Sequence, residues 1–275
     1  MKQVIVTADD FGLSPEVNQA VIQAHREGIL TCASLMIGAP AVEGAVALAK
    51  AHPALKVGLH LVLVEGFAVL SKNEIPDLVD ESGKFSSRIV SSGMRYFFLK
   101  RIRSQIAKEC EAQIGKFLTT GLKIDHLNSH NHMHIHPSIL DIITPLVKEY
   151  RIPAVRLPWQ GFRTVRRKHF MTAVVMLPWV IRLRRRLREN GIACNQEVFG
   201  LHETGCMVEQ TWLRLIPKLK PGVTEIYCHP AAENTSDFRQ APSSDHRAEE
   251  FAALLSPRVK ARLRHEGAVL TCFGD

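Results

Sequence analysis

Residues 3–12 read QVIVTADDFG, and the reading of the whole chain starts there. Residues 3–7 are mostly β-branched and apolar, which predicts a buried strand. The strand ends in two adjacent carboxylates, Asp9 and Asp10, followed by Gly12. Ser14 and Pro15 are a helix start, with Ser14 at the N-cap and Pro15 at the first helical position. The helix is expected over 15–27, stopped by Gly28. Strand, carboxylate pair, turn and helix make the first half of a βα unit.

The same alternation continues downstream. Strands are expected at 31–37, 57–64, 123–128, 154–157, 197–201, 225–228 and 268–273, about eight in all with the first. Helices are expected at 41–51, 103–118, 137–150 and 208–219, and over 246–265 with a break at Pro257. Residues 65–92 mix Gly, Pro, Ser and charge and predict a long functional loop. Alternation of this kind favours a parallel sheet, either a barrel or a doubly wound sheet. With no repeat and no linker-like stretch, residues 1–275 are expected to form one catalytic domain.

Composition narrows the class. The 275 residues are 46% apolar and 23% charged, which excludes a disordered or collagen-like chain. The six cysteines form no CxxC pair, as expected of thiols in a reducing cytoplasm. The N-terminus lacks the pattern of a signal peptide. Of 35 Lys and Arg, nine lie between Arg163 and Arg188 with no acid among them, and the other 26 face 27 Asp and Glu. The net charge of +8 therefore belongs to one segment.

In a βα architecture, chemistry gathers where strands end. Those ends carry Asp9 and Asp10, then His60, then the run His126, Asn128, His130, His132, His134 and His136, then Arg156, and finally His229. In an extended chain the four histidines from His130 to His136 share one face. In a helix they pair at i, i+4. Either arrangement offers two imidazoles to a cation. The bland alternatives are a carboxylate pair that caps a turn, a solvated histidine loop and a satisfied core histidine at position 60. Asp plus two His, with no Cys ligand, is a catalytic donor set suited to Zn, Mn, Co or Mg. A free carboxylate beside it is placed for general-base work, so amide hydrolysis is the expected chemistry.

Four stretches together, 7–21 (TADDFGLSPEVNQAV), 57–63 (VGLHLVL), 126–137 (HLNSHNHMHIHP) and 228–230 (CHP), resemble the YdjC-like carbohydrate deacetylase family, and most closely its hopanoid-biosynthesis-associated branch. The resemblance implies a distorted or incomplete TIM-type (β/α) barrel related to polysaccharide deacetylases. It implies one divalent metal ion (Mg, Zn, Mn or Co) and removal of N-acetyl groups from amino sugars. Carried onto this chain, Asp9 is the base, and Asp10, His60 and His130 hold the metal. His229 is the acid, with His132 and His134 as the other candidates, and Arg156 orients Asp9. Relatives acting on chitooligosaccharides tend to carry Asp where this chain has Asn128, so a carboxylate behind the ligands is missing. The implied substrate is an N-acetylglucosaminyl hopanoid lipid. A chitooligosaccharide-type deacetylase, another amidohydrolase or a phosphoesterase is the alternative.

Residues 162–190 form a basic, apolar insertion. Its longest nearly apolar run, 170–181, is shorter than the roughly 20 residues a spanning helix needs. Its composition is that of an interfacial segment meeting anionic lipid, at the inner face of the membrane of a cytoplasmic protein. A helical hairpin packed on the barrel is the competing reading. No nucleic-acid-binding motif accompanies the charge. A homodimer is left open.

Overall fold

The computed structural model describes residues 1–165, 169–233 and 246–274. Arg166, Arg167 and Lys168 of the basic insertion lie outside them. The first unit is as expected. Strand β1 (Lys2–Phe11) leads to helix α1 (Pro15–Glu27), where the Ser14 hydroxyl accepts from the Val17 amide and Pro15 occupies the first turn. Then follow β2 (Cys32–Leu35), α2 (Val42–Ala51) and β3 (Lys56–Leu61), and after a long connection α3 (Ile89–Phe98), α4 (Lys100–Thr119) and β4 (Leu127–Ser129). The chain continues through α5 (Pro137–Glu149), α6 (Phe170–Glu189), β5 (Glu197–Phe199), α7 (Glu209–Leu215) and β6 (Gly222–Cys228) to α8 (Arg247–Leu255), α9 (Pro257–His265) and β7 (Ala268–Thr271).

All strand pairs are parallel, in the order β4-β3-β2-β1-β6-β5. Strand β7 pairs with β1 over Lys2–Ile5, and β6 pairs with β1 over Lys2–Ala8. One edge of β1 cannot hold both, so β7 lies on the edge that β2 uses higher up, beneath β2. Both faces of the sheet are covered, as parallel sheets require. Val4, Val6 and Ala8 of β1 join the helices in the main core. Ile5, Thr7 and Asp9 point the other way, into a barrel interior that starts apolar with Ile5, Cys32, Ala154 and Phe273 and turns polar toward the strand ends.

The barrel is distorted and incomplete. The strand expected at 154–157 is reduced to single parallel bridges, Leu127↔Val155 and Ala154↔Ala193. Pro153 precedes it and Pro158 follows, so regular pairing cannot extend on either side. A side chain replaces the missing ladder. Asn195 accepts from the Leu157 amide (2.7 Å) and donates to the Leu157 carbonyl (2.9 Å). Residues 65–92 are not a single loop either: their last part is the start of α3, and Glu109 of α4 ties down the amides of Val69 (2.8 Å) and Leu70 (3.0 Å). Among its described residues, the insertion holds one α-helix, α6, and no second α-helix to make a hairpin with it. It packs by Ala173, Val180, Leu183 and Leu187. Among the described residues, no helix is long and apolar enough to cross a membrane.

Replacing Asn195 by Ala strands a buried amide and carbonyl of Leu157. The expected loss is about 1–3 kcal/mol, read from urea unfolding.

Candidate metal centre and active site

Strict alternation along β1 would send Asp9 inward and Asp10 outward. The pairing of β1 with β2 instead shifts register between Ala8 and Phe11. Asp10 there adopts φ 65°, a left-handed conformation that a non-glycine residue rarely takes. This bulge turns both carboxylates toward the barrel mouth, and both are 1% exposed.

Asp9 is held by Arg156 in a two-pronged ion pair, Nη1 to Oδ2 at 2.5 Å and Nη2 to Oδ1 at 3.0 Å. The same guanidinium donates to Glu225 through Nε (2.9 Å) and Nη2 (2.6 Å). Asn128 Nδ2 also donates to Asp9 Oδ1, at 3.0 Å. Burial pushes the Asp9 carboxyl up, but Arg156, with His60 behind it, outweighs burial and holds it far below the usual carboxylate range. Asp9 is therefore an anion at every working pH.

Asp10 Oδ2 accepts from Arg247 Nη2 at 3.0 Å. Its other oxygen, Oδ1, lies 3.5 Å from His60 Nε2 and 3.3 Å from His130 Nδ1 and makes no aligned hydrogen bond to either. His60 Nδ1 donates to Asn128 Oδ1 at 2.7 Å, so its proton is on Nδ1 and a lone pair faces Asp10 from Nε2. A lone pair aimed at a carboxylate oxygen inside a protein is repulsive unless a cation sits between them. One donor atom from each of Asp10, His60 and His130 lies within 4.8 Å of the others. These three side chains fit a divalent cation.

The histidine run departs from both expected geometries. Asn131 and His132 take φ 52° and 53°, inside two short 3-10 turns, so neither alternation nor i, i+4 pairing applies and each ring goes its own way. His130 alone reaches Asp10, and the second imidazole comes from His60. His134 is buried, with its ring nitrogens at Ser129 Oγ (2.7 Å) and the Arg156 carbonyl (3.0 Å), so it fixes the arginine's backbone. Burial pushes it down to about 3. His132 Nε2 meets the Tyr227 hydroxyl at 3.1 Å. His136 sits between the rings of Phe97 and Trp179. His229 stands half-buried at the mouth beside Tyr227, and its amide donates to the buried Glu250 at 2.6 Å.

Sequence reading missed Glu225, Arg247, Glu65 and Ser34. Glu225 had a signal, since a charge inside an apolar strand must meet a partner. Arg247, from the first turn of α8, had none. Glu65, at φ 50°, lies 3.8 Å from His130 Nε2 and accepts from Asn131 at 2.7 Å.

Arg156→Met leaves two carboxylates buried without a counter-charge. A loss of about 3–5 kcal/mol is expected in chemical unfolding, with Arg156→Lys losing less. A second expectation concerns pH. Burial pushes His60 down to about 4, so it is neutral at pH 7. Burial also opposes a charged His130, but Asp10 and Glu65 outweigh it and push that ring above 6.5. A cation must displace the His130 proton. Affinity in calorimetric titration should therefore climb by up to about tenfold per unit as pH rises toward the His130 value, then level off. His130→Ala should bind more weakly and lose that slope.

A family model described as YdjC-like protein matches residues 3–265. The chain is 33% identical over 275 residues to a carbohydrate deacetylase of Brevibacillus brevis, covering 99% of both chains. It is 31% identical to one of Geobacillus stearothermophilus, covering 98% of this chain and 96% of the relative. Among solved structures, a candidate cellobiose-phosphate cleavage protein of Enterococcus faecalis V583 superposes with a TM-score of 0.78 at 24% identity, over 99% of this chain and 97% of that one. With a family match that spans nearly all of β1 through α9, the chain belongs to the YdjC-like family.

Proposed function

We propose that this protein is a metal-dependent carbohydrate deacetylase that hydrolyses the N-acetyl group of an amino sugar. The observation that carries this reading is the pair of buried atoms Asp10 Oδ1 and His60 Nε2, which face each other with no hydrogen bond and have His130 alongside. These three residues would hold one divalent ion, and their mixed carboxylate and imidazole donors admit Zn, Mn, Co or Mg. When bound, such an ion supplies Lewis acidity that polarises an amide carbonyl and acidifies water. The names of the Brevibacillus and Geobacillus relatives support the substrate class.

The remaining roles belong to the chain's own groups. Asp9 is the base that takes the proton of the attacking water. Arg156 keeps it ionised and aimed, and Asn128 links it to His60. His229, at the open side of the mouth, gives a proton to the departing amine nitrogen. His134 is excluded from that part because both its nitrogens are engaged. Asn128 is suited to its place because a carboxylate there would sit against Asp9 Oδ1 at 3.0 Å, whereas an amide donates to it.

The finer reading is a glycolipid acceptor, an N-acetylglucosaminyl hopanoid. Its support is an apolar surface beside the site. Val90, Met94, Phe97 and Phe98 of α3 are exposed, as are Met171 and Val175 of α6, and His136 joins the two helices through Phe97 and Trp179. An apolar anchor or the surface of a membrane would cover it. The arginines of α6 are less available than composition suggested, since Arg182 and Arg186 pair with Asp141 and Arg185 with Glu189.

Acetate release from N-acetylglucosaminyl lipid and from chitobiose tests the reading. Asp9→Asn should lower turnover by about 10²–10⁴-fold while the cation stays bound. Unchanged turnover would overturn the assignment of the base. Anionic vesicles should sediment the wild type, and Phe98→Asp with Met171→Asp should abolish this. Release from chitobiose alone, without vesicle binding, would leave a soluble-oligosaccharide deacetylase.

A further inference from the structure

Below the catalytic layer lies a second group of metal-ligating side chains. Cys32 opens β2, Asp125 and His126 precede β4, and Cys272 follows β7. Because β7 runs beneath β2 on the same edge of β1, the topology brings both cysteines to one place. Cys32 and His126 are fully buried and Asp125 is nearly so. Asp125 Oδ2 lies 3.0 Å from His126 Nδ1 and 3.8 Å from Cys32 Sγ, and donor atoms of all three fall within 4.8 Å of one another. Around a tetrahedral zinc ion, neighbouring donors are roughly 3.3–3.8 Å apart, so the cluster is nearly of that size.

We propose that Cys32, Asp125 and His126, joined by the neighbouring Cys272 once its Sγ turns from the Thr31 carbonyl (3.7 Å), form a second, structural cation site of the zinc class at the base of the barrel, independent of the catalytic reading. Three observations carry it. First, among the described residues no Lys or Arg pairs with the buried Asp125; its side-chain partners are His126 Nδ1 (3.0 Å) and the Cys32 thiol (3.8 Å), both of them zinc-ligand types. Second, the surroundings are shaped around the His126 ring. Gly58 leaves it space, since a Cβ there would fall 2.5 Å from the ring atoms, and Phe273 stacks on it at 4.5 Å. The far nitrogen, Nε2, meets Ser34 Oγ at 3.0 Å, the outer contact that orients a ligating imidazole. Third, thiol, imidazole and carboxylate are each zinc donors and sulfur favours zinc over Mg or Mn, whereas the Asp10, His60 and His130 set contains no sulfur.

Burial, with Cys272 and Asp125 close by, keeps Cys32 a thiol in the metal-free protein. Binding therefore releases the thiol protons to solvent as the metal–sulfur bonds form, while the His126 ring stays neutral with its proton on Nε2. The Gly274 amide donates to Asp125 Oδ1 at 3.2 Å, so an ion here would clamp the C-terminal segment to β2 and to the chain before β4.

The test is metal content and cobalt spectroscopy of the full chain. Zinc-loaded wild type should carry two equivalents by elemental analysis, and Cys32→Ser with Cys272→Ser should carry one. Asp10→Asn with His60→Ala should also carry one, and its Co(II) form should keep a thiolate-to-cobalt charge-transfer band that the cysteine variant lacks. If the cysteine variant fails to fold, the Co(II) spectrum of the wild type decides alone. One equivalent in the wild type, or two without a thiolate band, would overturn the proposal. So would a Cys32–Cys272 disulfide in protein prepared under reducing conditions. Loss of metal from the Asp10 and His60 variant alone bears on the catalytic reading and leaves this one standing.

Discussion

The structure turns on one buried guanidinium. Arg156 is fully buried and holds Asp9 on one side and Glu225 on the other. Two carboxylates so close in the interior could not both stay ionised without it. Arg156 thus does two jobs. It lets β6 carry a glutamate inside the barrel, and it fixes Asp9 as an anion with both oxygens directed. The guanidinium is itself held in place. Its backbone amide donates to the Leu127 carbonyl, its carbonyl meets His134, and its plane lies 4.6 Å from the centre of the Tyr227 ring. A flexible arginine would satisfy the charges but would not hold both Asp9 oxygens in one direction, which the base role proposed for Asp9 requires.

From this pair a chain of hydrogen bonds sets protons elsewhere. Asn128 donates to Asp9 Oδ1 and to Ser34 Oγ, so its carbonyl oxygen is left to accept from His60 Nδ1. That single orientation of the amide decides the His60 tautomer and turns Nε2 toward Asp10. Ser34 passes the constraint to His126 and so to Asp125 at the base. An ion at the base would take the Nδ1 position and move the His126 proton to Nε2. The hydroxyl of Ser34 both donates and accepts, so it accommodates either state without turning Asn128.

The fold was legible where local chemistry was strong. β1, α1 and its Ser14 cap follow from residues 3–28 alone. The parallel barrel follows from alternation together with the family resemblance. The strand expected at 154–157 shrinks to single bridges because Ala154–Leu157 lies between Pro153 and Pro158, which hold the chain extended but stop pairing from spreading. Helix α3 was hidden in a stretch judged by its Gly, Pro and Ser content, and its apolar face turns outward, so no core pattern announced it. At the site, strand-end position found Asp9, Asp10, His60, Arg156 and His229. The histidine run misled because alternation presumes regular backbone, and two successive left-handed residues cancel it. Arg247 and Glu65 arrive from distant segments, which no local pattern encodes.

The left-handed residues are not scattered. Of the five non-glycine residues with positive φ among those described, Asp10, Glu65, Asn131 and His132 surround the candidate metal centre, and only Arg151 lies away from it. Each such residue costs on the order of 1–3 kcal/mol, so the core must over-determine their placement. Glycine would relieve the strain at any of them but would delete a carboxylate, an amide or an imidazole. The local price is therefore tied to side-chain identity. Asp10 needs its bulge to face His60, and His130 needs the turn at 131–132 to end the strand before the chain runs past the mouth. The strain and the orphaned donor atoms Asp10 Oδ1 and His60 Nε2 are two sides of one arrangement, a backbone bent to bring together a carboxylate oxygen and an imidazole lone pair whose repulsion the proposed cation would relieve.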